Sequence, residues 1–179
     1  MGPRRIAAIA LLMMIAASPA RAQTPEAAFV QIKLTDAQVK DYLAAQADLA
    51  GVIFRLPDDR ADIPDTKSRS QVETILRRHG FDNLDAYNVV ARNIALVLEG
   101  VDPATRTYVG ANVMLERQLA DIEADPSVAG DEKETAKAEI AAQMKAVAPL
   151  QFPSNVELVT RNLDEIMANS PFGGKAYED

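Results

Sequence analysis

The spacing of apolar residues after residue 35 constrains the fold more than any other feature of this sequence. These residues recur three and four positions apart, which places them on one face of an α-helix. No segment shows the sustained alternation of apolar and polar residues that a half-buried strand requires. We therefore expect an all-α fold, a single-domain antiparallel bundle of about six helices. Its apolar stripes cover 39–53, 72–79, 84–98, 108–122, 136–147 and 156–166.

The third stripe differs from the others because its helix carries apolar residues on both sides. Val89 and Leu96 lie opposite the main stripe. A helix that is apolar nearly all round is typical of the centre of a bundle. We expect the helix over residues 83–99 to be central and the other helices to pack around it.

Residues that begin and end helices separate these stripes. Gly80 and Gly100 stand where a left-handed C-terminal cap is needed, and the proline of Asp125-Pro126 should end the fourth helix. A side-chain acceptor followed three positions later by Glu predicts an N-terminal capping box. Three such pairs occur: Ser70 with Glu73, Asp131 with Glu134, and Ser154 with Glu157.

The stretch Leu34-Thr35-Asp36-Ala37-Gln38 carries the same signature at the start of the first helix. Thr35 can cap the helix, while the side chain of Gln38 bonds back to the cap residue. Leu34 and Val39 can then pack together as a hydrophobic staple. Such a cap contributes about 1 kcal/mol, so helix initiation alone accounts for this motif.

The same five residues resemble the Leu-Thr-x-x-Gln motif of the Spy- and CpxP-type periplasmic chaperones. That resemblance implies a helical, cofactor-free protein that binds unfolding clients on a concave surface. The family typically carries the motif twice and tends to present a basic cradle, whereas residues 158–162 do not match the motif and this chain is acidic. The whole pattern also resembles small secreted helical proteins of Gram-negative bacteria.

The first 22 residues have the pattern of a secretory signal peptide. Arg4 and Arg5 precede an apolar run that is shorter than the ~20 residues of a membrane-spanning helix. We expect cleavage after Ala22, which gives a periplasmic protein that begins at Gln23 and does not span a membrane. The expected organisation is a signal peptide 1–22, an irregular arm 23–34, a helical domain 35–169 with an exposed loop over 55–69, and a flexible tail 170–179.

Charge restricts the partners of such a chain. The net charge of −7 becomes about −10 once the three arginines of the signal peptide are removed. An acidic surface repels nucleic acid and anionic lipid, so nucleic acid is not an expected partner. The same surface favours unfolded or basic protein clients. The sequence has no cysteine, and therefore no disulfide framework and no catalytic or metal-binding thiolate.

Four polar residues are the candidates for ligand binding: His79, Asn88, Arg92 and Asn93. Arg92 shares one side of the third helix with Asn88 and with two acids, Asp85 and Glu99. One hypothesis is a polar rim in which an acid pairs with Arg92. The other is a small pocket in which Arg92 receives an anionic group. His79, the only histidine, is expected to interact with carbonyl groups at a helix end.

No metal or cofactor is expected. The acids Asp58, Asp59, Asp62 and Asp65 are interleaved with basic residues and do not have the spacing of a calcium loop. A second candidate loop, which starts at Asp125, places Ala136 where the bidentate Glu is required.

Three functions remain open from the sequence. The first is an exported non-enzymatic protein that acts by binding, as a chaperone or in envelope stress. The alternative is a periplasmic carrier of an anionic metabolite with a pocket between helices near Arg92. The least favoured is a small helical enzyme such as a secreted chorismate mutase, because the arginines are scattered and mostly lie beside acids.

Overall fold

The computed structural model describes residues 29–53 and 66–169. The signal peptide, the C-terminal tail and most of the predicted loop over 55–69 lie outside the described residues. Helix α1 spans Asp36–Ile53, α2 Thr66–Arg78, α3 Leu84–Leu98, α4 Ala111–Ala124, α5 Gly130–Ala146, α6 Ser154–Arg161 and α7 Leu163–Asn169. Two short strands, β1 Val101–Asp102 and β2 Thr107–Tyr108, lie between α3 and α4.

The predicted all-α class is confirmed, with two local differences. The sixth stripe contains two helices, because the chain leaves helical geometry at Asn162, where φ is −101° and ψ is 12°. The fourth stripe begins too early, because Tyr108 belongs to β2, which pairs with β1 in an antiparallel hairpin. Strands of two residues are too short to show any alternation in the sequence.

The main core forms where α1, α2, α3, α6 and α7 meet. Helix α1 contacts α2, α3 and α7, while α3 contacts α1, α2 and α6. Val39, Leu76 and Val97 are fully buried there, and Ile94 and Val159 lie beside them. Helix α3 packs in the middle of these elements but leaves one side exposed to solvent.

Helices α4 and α5 form a hairpin outside this core. They contact one another, and α4 also contacts β1. No residue of 111–146 belongs to the main hydrophobic cluster of the described structure. Helix α4 has no buried residue, and α5 has one, Ile140, which is 2% exposed.

Two of the predicted helix ends are confirmed. At the end of α2, Gly80 has φ +80°, and the Phe81 N–H donates to the Leu76 carbonyl over 2.9 Å, as in a Schellman cap. Helix α4 ends at Ala124, directly before Asp125-Pro126.

The three predicted capping boxes after α1 are wrong. Ser70 lies inside α2, and its carbonyl accepts a bond from the Thr74 hydroxyl. Asp131 lies in the first turn of α5, whose cap residue is Ala129. Pro153 precedes α6, and no side chain caps that helix. In each case the residue that precedes the helix differs from the predicted cap residue.

Gly100 does not form the predicted left-handed cap, since its φ is not positive. Close approach of the backbone explains this glycine instead. A Cβ at this position would lie 2.5 Å from the Tyr108 ring and 2.9 Å from the Gly110 Cα. The Gly100 carbonyl also accepts bonds from Val109 and Gly110 N–H groups. Gly100 therefore fixes how α3 continues into the strand pair and α4.

We predict that Gly100→Ala lowers the free energy of unfolding by about 1–3 kcal/mol, because the neighbouring backbone has no room to yield. Gly130→Ala is the matched control, since a Cβ there meets nothing within 4 Å. The control should leave stability unchanged or raise it by up to about 1 kcal/mol. Urea unfolding of both variants measures the difference. Equal stabilities would contradict the packing role of Gly100.

Three aromatic side chains join α1, α3 and the turn between α2 and α3. The Tyr42 and Tyr87 rings are stacked with centroids 5.3 Å apart, and Phe81 meets Tyr87 edge-on at 5.4 Å. Burial raises the pKa of Tyr87, and the neighbouring Tyr42 raises it further. Burial also raises the pKa of Tyr42. The folded state therefore favours the protonated phenols.

A raised phenol pKa stabilises the fold at every pH below the unfolded value of 10.0, and this stabilisation is lost as pH rises beyond it. We predict that the free energy of unfolding falls above pH 10, and falls less steeply in Tyr87→Phe. Phe81→Leu is the control, because it perturbs the same cluster without removing a titratable group. Urea unfolding across the alkaline range tests this, and identical slopes in all three proteins would contradict it.

Candidate functional site

The four candidate residues lie in different surroundings. Asn88 and Arg92 are exposed on the outer side of α3, whereas Asn93 is buried at 1% exposure. Arg92 itself takes part in an interaction. His79 lies at the end of α2, with its Nε2 2.8 Å from the Asp48 carboxylate on α1. The structure thus places Asn93 apart from its two neighbours on α3.

Two observations describe the outer side of α3. Burial raises the pKa of Glu99, the acid at the C-terminal end of this side. The exposure of Asn88 and Arg92 also differs from the enclosed walls that a small-ligand pocket needs. That exposure does not favour an enclosed anion site on this side.

Asn93 binds the backbone of the segment that precedes α1. Its Oδ1 accepts the Ile32 N–H over 2.9 Å, and its Nδ2 donates to the Val30 carbonyl over 3.0 Å. The same Nδ2 donates to the Val89 carbonyl within α3 over 2.8 Å. Every polar atom of this buried amide therefore has a partner.

Asn155 on α6 makes the same kind of contact with the segment before α1, shifted by two residues toward α1. Its Oδ1 accepts the Leu34 N–H over 2.9 Å, and its Nδ2 donates to the Ile32 carbonyl over 2.8 Å. Asn155 is 2% exposed. Each asparagine thus pairs with the carbonyl of one residue and the N–H of the residue two positions later. We call Asn93 and Asn155 the asparagine clamp. From here on, the arm means residues 29–34, the described part of the predicted segment 23–34.

A side chain of the arm makes a similar contact with the segment that precedes α6. The Gln31 side chain donates to the Pro149 carbonyl and accepts the Gln151 N–H, both over 2.9 Å. This is again the pattern of one carbonyl and the N–H two residues later. The arm is therefore fastened to α3, to α6 and to the segment that precedes α6.

The predicted capping box links the arm directly to α1. The Thr35 N–H donates to Gln38 Oε1 over 3.0 Å, and the Gln38 N–H donates to Thr35 Oγ1 over 3.2 Å. Leu34 and Val39 are buried at 5% and 0% exposure, as the hydrophobic staple requires. Leu34 therefore serves two roles, since its side chain belongs to the staple and its N–H to the clamp.

Sequence reasoning found one half of the clamp and missed the other. Asn93 was a candidate because it interrupts an apolar helix. Asn155 stands on the apolar face that Leu158 and Val159 share, three and four positions later, so the same signal was present. A buried amide on an apolar face must find hydrogen-bond partners, and here the partners come from the arm.

Within the described ranges, no group of three or more His, Asp or Glu residues could hold a metal ion. The described helices include none that is long and apolar enough to cross a membrane. Comparison of the chain with protein-family models, with curated proteins and with solved structures found no match.

We predict that Asn155→Ala lowers the free energy of unfolding by about 2–3 kcal/mol, because it leaves a buried N–H and a partly buried carbonyl of the arm without partners. Asn162→Ala is the control, since its amide donates to the Leu158 carbonyl of its own helix. Urea unfolding gives the stabilities. Amide exchange should also accelerate at Leu34 in Asn155→Ala and at Ile32 in Asn93→Ala. Unchanged exchange at both amides would contradict the clamp.

Proposed function

We propose that this chain is an exported, non-enzymatic helical protein of the periplasm that acts by binding unfolded or basic polypeptide clients. The observation that carries the proposal is the α4–α5 hairpin, which contributes no residue to the main core of the described structure. Two helices that the fold does not use for its own core are available for contacts with another molecule.

The hairpin presents apolar surface that its two helices cover only in part. Val113 is 36% exposed. Four further apolar side chains of α4 are only half-buried: Met114, Leu115, Leu119 and Ile122. Burying such surface against a client contributes about 25 cal/mol per Å². An unfolded chain exposes the apolar side chains that could provide the complementary surface.

Charge favours basic clients on this surface. Residues 111–146 carry eight Asp or Glu and four Lys or Arg, a net charge of −4. Complementary charge accelerates association and weakens as salt rises. The hairpin therefore combines apolar contact with electrostatic attraction.

The two other functions receive less support. An anion carrier near Arg92 would need an enclosed site, and both Asn88 and Arg92 are exposed. An enzyme that binds a dianion would need converging arginines. Arg106, Arg117 and Arg161 instead pair with carboxylates and are each at least half exposed.

A holding assay tests the proposal. The protein is purified from the exported fraction, where its intact mass should correspond to residues 23–179. It should suppress light scattering by reduced lysozyme, a basic unfolded client, more strongly than scattering by reduced α-lactalbumin, an acidic one. This preference should shrink in 0.5 M salt, where the Debye length is only about 4 Å.

Val113→Asp places a charge on the hairpin surface, which should cost about 1 kcal/mol or more of client binding, a fall of roughly fivefold. Leu84→Asp is the matched control, because Leu84 is 40% exposed on α3 and should leave holding intact. A wild-type protein without effect on either client would overturn the proposal. Equal losses in the two variants would remove the hairpin from it.

A further inference from the structure

We propose that the asparagine clamp is a binding site for an extended polypeptide segment supplied by another molecule, with the upstream part of the arm as its built-in competitor. The inference takes the kind of occupant, an unfolded client, from the proposed function. It concerns a different surface from the α4–α5 hairpin, so each can fail without the other.

The occupant's chemistry follows from what fills the site now. All four clamp contacts that hold the arm go to its backbone, namely the carbonyls of Val30 and Ile32 and the N–H groups of Ile32 and Leu34. Backbone groups are the same in every residue except proline. The clamp therefore accepts an extended segment with little regard to most of its side chains.

One side chain adds selectivity. Ile32 is half-buried and packs against the main core, whereas Val30 is 58% exposed. The site thus requires a carbonyl at one position and, two positions later, an apolar residue with a free N–H and carbonyl. A polar residue is tolerated between them, as Gln31 is here.

The two ends of the arm are held differently. Leu34 is fixed by the staple, by Asn155 and by its direct connection to the capped start of α1. The upstream end leaves two large apolar side chains in solvent, since Phe29 is 38% and Val30 58% exposed. Release of residues 29–32 would therefore free Asn93 and the Ile32 position while α1 stays in place.

Once residues 29–32 are released, another extended backbone could take their place at the clamp. With the arm in place Asn93 is 1% exposed, and release of the arm would leave its Oδ1 to water instead of the N–H that it accepts. An incoming extended backbone would restore the same hydrogen bonds and cover the amide again. The tethered arm competes at the high effective concentration of an intramolecular ligand.

The test uses the full chain and the peptide acetyl-Phe-Val-Gln-Ile-amide, which reproduces residues 29–32. Ile32→Asp should weaken the competitor, because a charge is unfavourable at a half-buried apolar position. Gln31→Ala is a milder variant that removes only the bonds to residues 149–151. Binding is followed by NMR through the side-chain amide of Asn93 and by the rise in Tm with peptide concentration.

We expect the peptide to bind Ile32→Asp at least about tenfold more tightly than wild type, with Gln31→Ala between them. Asn93→Ala in the Ile32→Asp background should abolish binding. A peptide with N-methylated isoleucine lacks the N–H that Asn93 accepts and should fail. So should the isomer acetyl-Phe-Val-Ile-Gln-amide, which moves the apolar residue out of register.

Equal affinity for the normal and N-methylated peptides would overturn the proposal, as would variants that are folded yet bind no better than wild type. If Ile32→Asp does not fold, the comparison of Gln31→Ala with wild type decides. Adding the hairpin substitution Val113→Asp to any of these proteins should leave their affinity for the peptide unchanged. Loss of holding without loss of peptide binding would therefore separate the two surfaces.

Discussion

The pairing of two buried side-chain amides with an extended backbone is the constraint on which the rest of the structure depends. Asn93 and Asn155 lie in the apolar contact between α3 and α6. Their polar atoms would be unfavourable there without partners. The arm satisfies them, and they in turn satisfy its backbone. The pairing also sets the register in which Leu34 reaches the core and Thr35 begins α1.

Much of the fold could be predicted from the sequence, because apolar spacing and local capping are encoded by neighbouring residues. The helical class, the Thr35–Gln38 box and the Gly80 cap depend on groups within a few positions of one another. The role of Asn155 depends on Leu34, which is 121 residues away. Spacing within a segment can mark an asparagine on an apolar face, but it carries no information about such a distant partner, so the pairing itself could not be predicted.

The predictions that failed concern where helices begin and end. Ser70 and Asp131 have the residue types of a helix cap but lie within helices. Gly100 has the residue type of a C-terminal helix cap, yet a glycine is needed there because Tyr108 and Gly110 pack close to its backbone. Side-chain chemistry alone does not distinguish these roles, because each is decided by how the backbone of another element approaches.

The distance along the chain between the arm and its partners has a consequence for the order of folding. The hydrogen bonds from the arm to residues 149–155 join groups 118 to 123 positions apart. Contacts of such long range form late, after local helices and helical hairpins. A chain emerging N-terminus first exposes the arm long before α6 exists to receive it. Closure of the arm therefore marks the completion of the whole domain, and a polypeptide that ends before α6 leaves it without Asn155.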